Sequence, residues 1–336
     1  MNFSTKTNKL IKKATANKPH MKFTVGILHK GETSYKLFDS SGEIPYESHP
    51  YEMGSIGKTF TTSLFAKYVQ EGKMRLDDSI AAYIPELDGN RYHPTLKRLA
   101  THTAGYPERY PIDTWGELFS IVGKQLRSKP INIAEYITMD RQKMIDLAKG
   151  RKLQDKDYKW EYSNFGISLL GQAVSQAADK PFLALMREFI SQDLALSNTF
   201  VGTNHKNLVT GYDFKHREVE HWPVDEGEYI IPAGAGMVSN AEDLLQFANM
   251  HMEEHLGYLG LTHVWYDVKS KHSNMGLGWW IDAKNPDMFF HGGNTGGFAS
   301  MLAFDKKKKT AVVILANVNF YREREALFAD MLENLG

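Results

Sequence analysis

Ser55 and Lys58 stand three residues apart in the run YEMGSIGKTFTTSLFAKYVQEG, which spans 51–72. On a helix, positions i and i+3 share a face, so the serine Oγ and the lysine Nζ can meet. A serine hydroxyl is a poor nucleophile until a nearby base takes its proton. Lysine serves as that base if burial or positive neighbours lower its pKa toward neutrality. A helix start adds backbone N–H groups and a positive dipole end, which favour the oxyanion formed when a carbonyl is attacked. An ordinary helix start, with Ser55 as a cap and Lys58 in water, has the same spacing. The pair alone is therefore a weak signal.

Two further runs change its weight. KWEYSNFGISLLGQAVSQAADK carries Tyr162-Ser163-Asn164, the only Y-x-N in the chain, directly ahead of a helical pattern. Helix capping by Ser163 or Asn164 is the plain alternative there. MFFHGGNTGGFASMLAFD places His291-Gly292-Gly293 at the end of a strand-like run. A glycine-rich hairpin is the plain alternative for that one.

S-x-x-K, then Y-x-N, then [K/H]-x-G near the end is the order of the penicillin-recognising serine enzymes. The chain resembles their class C β-lactamase-like branch, which includes D-alanyl-D-alanine carboxypeptidases, D-aminopeptidases and penicillin-binding-protein-like esterases. LKRLATHTAGYP, IIPAGAGMVSNAEDLLQFANMH, MGLGWWID, HGGNTGGFAS and AVVILANV match further segments of that branch in the same order. The resemblance implies that Ser55 is acylated, Lys58 shares its proton, and Tyr162 relays protons to the serine and the leaving group. It also implies that Asn164 contacts substrate or orients the lysine, and that His291 and Gly293 belong to the substrate-binding strand. The oxyanion hole would use the backbone N–H groups of Ser55 and Asn294. Whether Lys58 or Tyr162 is the base stays open at this point. No metal and no organic cofactor is implied.

One departure bears on substrate. The third box reads His-Gly-Gly-Asn and lacks the hydroxyl that usually follows the Lys or His. With fewer donors and no fixed charge at 291, carboxylate recognition should weaken. The expectation is an esterase or amidase acting through an acyl-enzyme. A D-amino-acid peptidase or carboxypeptidase and a class C β-lactamase are the alternatives, so the partner is a small-molecule ester, amide, peptide or β-lactam. An inactive binding protein of the penicillin-binding type is the non-enzyme alternative, and retention of Ser55, Lys58 and Tyr162 argues against it.

Two rival sites are visible. HMEEH at 251–255 has an H-x-x-E-H arrangement that could hold zinc with Glu254 as base. No third ligand is identifiable, and the run is expected to be an exposed helix end. His102 in ATHTAGYP invites a Ser-His-Asp triad with Ser55, but no G-x-S-x-G elbow surrounds that serine.

The elements that must position these residues follow from periodicity. Residues 7–17 read as a short amphipathic helix with Leu10 and Ile11 inward. KFTVGILHKG and TSYKLFDSSG alternate like two strands joined at Lys30-Gly31. Ile56, Phe60, Leu64, Phe65, Tyr68 and Val69 recur at helical spacing, the pattern of an amphipathic helix, and Gly72 supplies a stop. GLGWWID, MFFHGG, ASMLAFD and TAVVILANV return to strand character, DKKKK at 305–309 reads as a solvated hairpin turn, and EREALFADMLENLG closes as a helix.

An α/β (α+β type) fold is expected, with an antiparallel sheet from both termini flanked by helices. The chain would be a single catalytic domain of two lobes. Approximately 1–74 plus 265–336 would carry the sheet, and approximately 75–264 would be mainly helical.

Composition sets the outer bounds. The 336 residues are 42% hydrophobic, enough for a sizeable core, and acidic and basic residues balance at 40 each. A nucleic-acid binder would show a basic excess. The absence of cysteine removes disulfides, zinc–thiolate sites and thiol nucleophiles. No apolar run reaches the length of about 18 residues that a membrane span needs, and no signal-peptide pattern opens the chain. A cytoplasmic location is expected, or a secreted one if a leader has been removed.

Overall fold

The computed structural model describes residues 3–87, 91–108, 123, 139–202, 205, 207–213, 215–222, 224, 233–234, 236–268, 273–318 and 321–334. Strands from both ends of the chain meet in one sheet. The N-terminal contribution is β1 (Phe23–His29), β2 (Glu32–Asp39) and β3 (Gly42–Ile44). Short strands follow: β4 (Tyr51–Glu52), β5 (Phe200–Val201), β6 (Gly211–Tyr212), β7 (Glu218–Val219) and β8 (Met237–Ser239). The C-terminal contribution is β9 (Ser273–Met275), β10 (Trp280–Asp282), β11 (Met288–Asn294), β12 (Ala299–Asp305) and β13 (Thr310–Ala316).

The main sheet has the order β3-β2-β1-β13-β12-β11-β10-β9, with every pair antiparallel. The two ends are joined at the centre, where Phe23 faces Ala316 and His29 faces Thr310. The β1–β2 turn is Lys30-Gly31, both with positive φ (50° and 87°), the backbone that two-residue hairpins require. β4 pairs with β8 and β8 with β5 in a small second sheet.

β13 shows why its sequence is apolar at every position. Ala311, Val313 and Leu315 enter one core cluster, while Val312, Ile314 and Ala316 enter another on the opposite face. A strand buried on both sides reads as a continuous hydrophobic run, whereas a half-exposed strand would alternate. β2, nearer the edge, opens to solvent at Glu32 and Thr33 and is buried only at Leu37 and Phe38.

Helices cover both faces. α1 (Thr5–Thr15) and the last helix pack together over one face, contributing Ile11, Leu327, Phe328 and Met331 to its core. In chain order the others are α2 (Gly57–Gln70), α3 (Leu96–Ala100), α4 (Arg141–Gly150), α5 (Asn164–Ala178), α6 (Phe182–Glu188) and α7 (Ala241–Glu253), with α8 (Tyr321–Asn334) last. α7 lies across β1, β12 and β13, and α2 packs on α5 and on the short helical turn Gly257–His263. Side-chain caps begin several of them: Ser4 for α1, Thr95 for α3, Asp140 for α4, Ser163 for α5 and Asn240 for α7.

Two expectations need correction. α2 is not amphipathic: Lys58, Thr59, Thr61, Thr62 and Ser63 are as buried as its apolar residues. Its hydroxyls are satisfied by carbonyls, Thr59 to Ile56 at 2.7 Å, Ser63 to Thr59 at 2.7 Å, and Thr61 to Ala233 at 2.6 Å. Such bonds let polar side chains sit inside a helix-centred core. The 251–255 run does end a helix but is exposed only from Glu253 on, because His251 is fully buried while Glu253, Glu254 and His255 face solvent. The lysine run does form the β12–β13 turn, and Lys309 pairs there with Glu253 at 2.8 Å, beside a Lys306–Glu254 pair.

Candidate active site

The site begins where β4 turns into α2. Gly54 has φ +53°, and a Cβ at that position would lie 2.7 Å from the backbone N of Asn294. Glycine is needed there for both reasons. A single helical turn, Gly54–Ile56, then leads into α2, placing Ser55 on the turn and Lys58 one turn further on. Ser55 is partly exposed and Lys58 is fully buried.

Lys58 Nζ lies 2.9 Å from Ser55 Oγ and 3.0 Å from the Gly234 carbonyl oxygen. As an ammonium it donates to both; as a neutral amine it donates to Gly234 and accepts from the serine hydroxyl. Burial disfavours the charged form and brings the lysine pKa down to about 7, with Glu108 opposing the shift. Nζ also sits 4.8 Å from the centre of the Tyr162 ring. Burial pushes the Tyr162 phenol above its usual value, with the neighbouring Ser55 side chain opposing the shift. The two candidate bases are therefore driven apart: the lysine toward neutral amine, the tyrosine toward protonated phenol.

Tyr162 precedes α5. Ser163 is the N-cap of that helix, accepting from Gly166 N at 3.0 Å, so the capping alternative holds for Ser163. Asn164 opens the helix, with its Oδ1 3.8 Å from where a Cβ on Gly234 would lie; the same point is 3.4 Å from Lys58 Nζ. Asn164 and Lys58 thus flank the same stretch of backbone.

The third box lies on β11, against the Gly54–Ile56 turn. A Cβ on Gly293 would meet the Met53 carbonyl oxygen at 2.0 Å and Ser300 Oγ at 2.5 Å, so no side chain fits. Ser300 Oγ donates to that Met53 oxygen at 2.7 Å and ties β12 to the residue before Gly54. His291 is buried, with Nδ1 2.7 Å from the Gly292 carbonyl, which makes Nδ1 the protonated nitrogen. Burial and the Lys58 charge press its pKa down to about 3, and it is neutral at ordinary pH.

Sequence reasoning missed Arg324. This α8 residue is 3% exposed, and its Nη1 donates to Gly293 O at 2.9 Å, Ser300 O at 3.0 Å and Asn294 Oδ1 at 3.2 Å. The fixed positive charge absent from position 291 thus stands behind the strand instead. Nothing in YREREALF distinguishes Arg324 from its neighbour Arg322. Gly234 was missed as well, although it lies inside the quoted run IIPAGAGMVSN; Ile230, Ile231 and Pro232 of that run lie outside the described residues.

The rival sites resolve differently. His102 bonds the backbone N of Ser163 through Nδ1 at 3.1 Å and is held neutral by burial, far from the arrangement of a triad base. His251 faces His263, with 2.9 Å between Nδ1 and Nε2, while His255 lies beyond the helix end. Among the described residues no group of three His, Cys, Asp or Glu is placed to hold a metal ion. Among them, too, no helix is long and apolar enough to cross a membrane.

Comparison with known proteins covers nearly the whole chain. The profile of the family described as Beta-lactamase matches residues 11–334. A beta-lactamase of Pseudomonas fluorescens is 27% identical, over 88% of this chain and 88% of that protein. A beta-lactamase of Providencia stuartii is 28% identical over 65% of this chain, which is 51% of that protein. In three dimensions the chain superposes on a beta-lactamase/D-alanine carboxypeptidase from Pseudomonas syringae with a TM-score of 0.79 at 21% identity, covering 98% of each chain.

Proposed function

Because the chain belongs to the beta-lactamase family of serine hydrolases, which act through an acyl-enzyme, we propose that Ser55 is the acylated nucleophile and Lys58 its base. One observation carries this: a buried lysine with a pKa near 7 has its Nζ 2.9 Å from the serine Oγ. Neutral Lys58 takes the hydroxyl proton as Oγ attacks the substrate carbonyl carbon. The carbonyl electron pair moves onto oxygen, toward the backbone N–H groups of Ser55 and Asn294. The intermediate then collapses, and the bond to the leaving group breaks. Tyr162 gives its phenolic proton to that group, and the proton held on Lys58 replaces it. Water attacks the acyl carbonyl in the second half, releasing the acid and returning a proton to Ser55. Asn164, His291 and Gly293 line the substrate side of the cleft.

The proposed substrate is an ester or amide that lacks a required carboxylate. His291 is neutral, the following residue is Gly292, and the three bonds of Arg324 Nη1 are directed at the protein. A second reading, a β-lactam or D-amino-acid peptide, is favoured by the position of the Arg324 charge behind Asn294. One structural neighbour is a class C beta-lactamase in complex with cefoxitin.

The experiment has two arms. A fluorophosphonate should add once to wild-type protein and not to Ser55→Ala; an adduct on another serine would overturn the assignment. p-Nitrophenyl butyrate and nitrocefin are then compared on one preparation, with Ser55→Ala as the blank. A missing charge-assisted hydrogen bond costs roughly 1.5–3 kcal/mol, about 10- to 150-fold, so the ester should have the higher kcat/KM. Nitrocefin turnover equal to or above the ester rate would establish the second reading instead.

A further inference from the structure

His102 is an unusual residue to find where it is. Its φ of +59° lies in the left-handed region that side-chain-bearing residues rarely adopt, and it is 2% exposed. That conformation turns two acceptors of one residue toward the same neighbouring strand of chain. The His102 carbonyl oxygen accepts from Glu161 N at 3.0 Å, and the ring Nδ1 accepts from Ser163 N at 3.1 Å. Next in line, Thr103 O accepts from Tyr158 N at 3.0 Å. Tyr162 is the residue between the two held amides. Its ring packs against the His102 ring at 4.7 Å, and Trp160 meets His102 edge-on at 6.3 Å and 89°.

We infer that His102 is the positioning residue of Tyr162, gripping the backbone on either side of it and the face of its ring. This rests on the reading that Tyr162 passes protons at Ser55. The Tyr162 hydroxyl must reach Ser55 Oγ and the leaving group, and small displacements of such a group cost rate. A chain fixed at 161 and 163 leaves residue 162 little freedom to tilt. The clamp works only while Nδ1 carries a lone pair, so the ring must be neutral and protonated at Nε2. Burial, with the Lys58 charge behind it, holds His102 in that neutral form. A proton on Nδ1 would convert the acceptor into a donor facing the Ser163 N–H.

The test is a double-mutant cycle between positions 102 and 162. His102→Gly accepts the left-handed backbone without strain but removes the ring and its acceptor. His102→Asn also tolerates that backbone and keeps a side-chain acceptor. On p-nitrophenyl butyrate, His102→Gly should lower kcat by about tenfold or more, with KM changed far less, and His102→Asn should recover part of the loss. In the Tyr162→Phe background the same His102→Gly change should cost less than about twofold, because the group being positioned is gone.

Equal losses in both backgrounds would overturn the inference alone, as would an unchanged kcat accompanied only by a lower Tm. Tyr162→Phe within about threefold of wild type would remove Tyr162 from the proton path, and this inference with it. If the glycine variant does not fold, His102→Asn is measured in the same two backgrounds. A loss confined to the Tyr162-containing enzyme then supports the clamp, and an equal or absent loss overturns it.

Discussion

The sharpest consequence of the site concerns the charge on Lys58. A lysine with a pKa of about 7 is half neutral at pH 7, and only the neutral half can take the Ser55 proton. The neutral fraction is about 9% at pH 6 and about 91% at pH 8, so acylation, read as kcat/KM, should rise about tenfold over that interval. Above pH 8 it should be flat. At the ordinary value of 10.5 the same step would climb about a hundredfold between pH 6 and 8 and keep climbing to pH 10. The profile is measured with p-nitrophenyl butyrate from pH 5 to 9, subtracting Ser55→Ala at each pH. A rise that continues unbent past pH 8.5 would refute the claim that burial has neutralised the lysine.

The same shift has a stability arm. Lys58 binds a proton more weakly in the folded chain than in the unfolded one. Its burial therefore lowers stability as pH falls from the unfolded value of 10.5 toward 7, and the cost is constant below that. Over that window the cost reaches roughly 4 kcal/mol at pH 7. Lys58→Met fills similar space without a charge and gives up two hydrogen bonds worth about 1 kcal/mol each. The variant should thus be about 2 kcal/mol more stable at pH 7 while losing 100-fold or more in kcat. A lower Tm for Lys58→Met would mean that the charge is stabilised where it sits.

Two further outcomes follow from buried groups. His102, His251, His263 and His291 are all held neutral in the fold by burial, so their contribution is fully present above the unfolded value near 6.5 and is lost as pH falls below it. Each should cost about 1.4 kcal/mol by pH 5.5, or roughly 5–6 kcal/mol together, read as a fall in urea midpoint between pH 7.5 and 5.5; a fall below about 1 kcal/mol would show these imidazoles already charged. Arg324→Ala strips the Gly293 and Ser300 carbonyls of a buried donor, at about 1–3 kcal/mol for each group left unsatisfied, and frees the strand that carries Asn294. Both Tm and ester kcat should drop, and wild-type values of both would contradict the placement of that guanidinium.

What could be read from the sequence is what neighbours along the chain decide. The Lys30-Gly31 turn, the strand character of TAVVILANV and the serine–lysine spacing are settled within a few residues, and each stands in the structure as read. What could not be read depends on partners brought from far away. Thr59, Thr61, Thr62 and Ser63 look like a solvent face, but their hydroxyls turn to helix carbonyls and to Ala233 and Leu277, and the face is core. His251 looks like an exposed position of a helix end, but it is buried against His263.

The same division runs through the active site. That Ser55 and Lys58 meet is a property of one helical turn. That the lysine pKa falls to about 7 is a property of what encloses it. Gly234 offers Nζ a carbonyl, which ordinarily favours the ammonium, and Glu108 adds a charge of the same effect, yet desolvation outweighs both. Burial of that order needs α5, the Ala233-Gly234 backbone and the β11 edge all in place. A chain that kept S-x-x-K but opened any of those walls would keep the motif and lose the base.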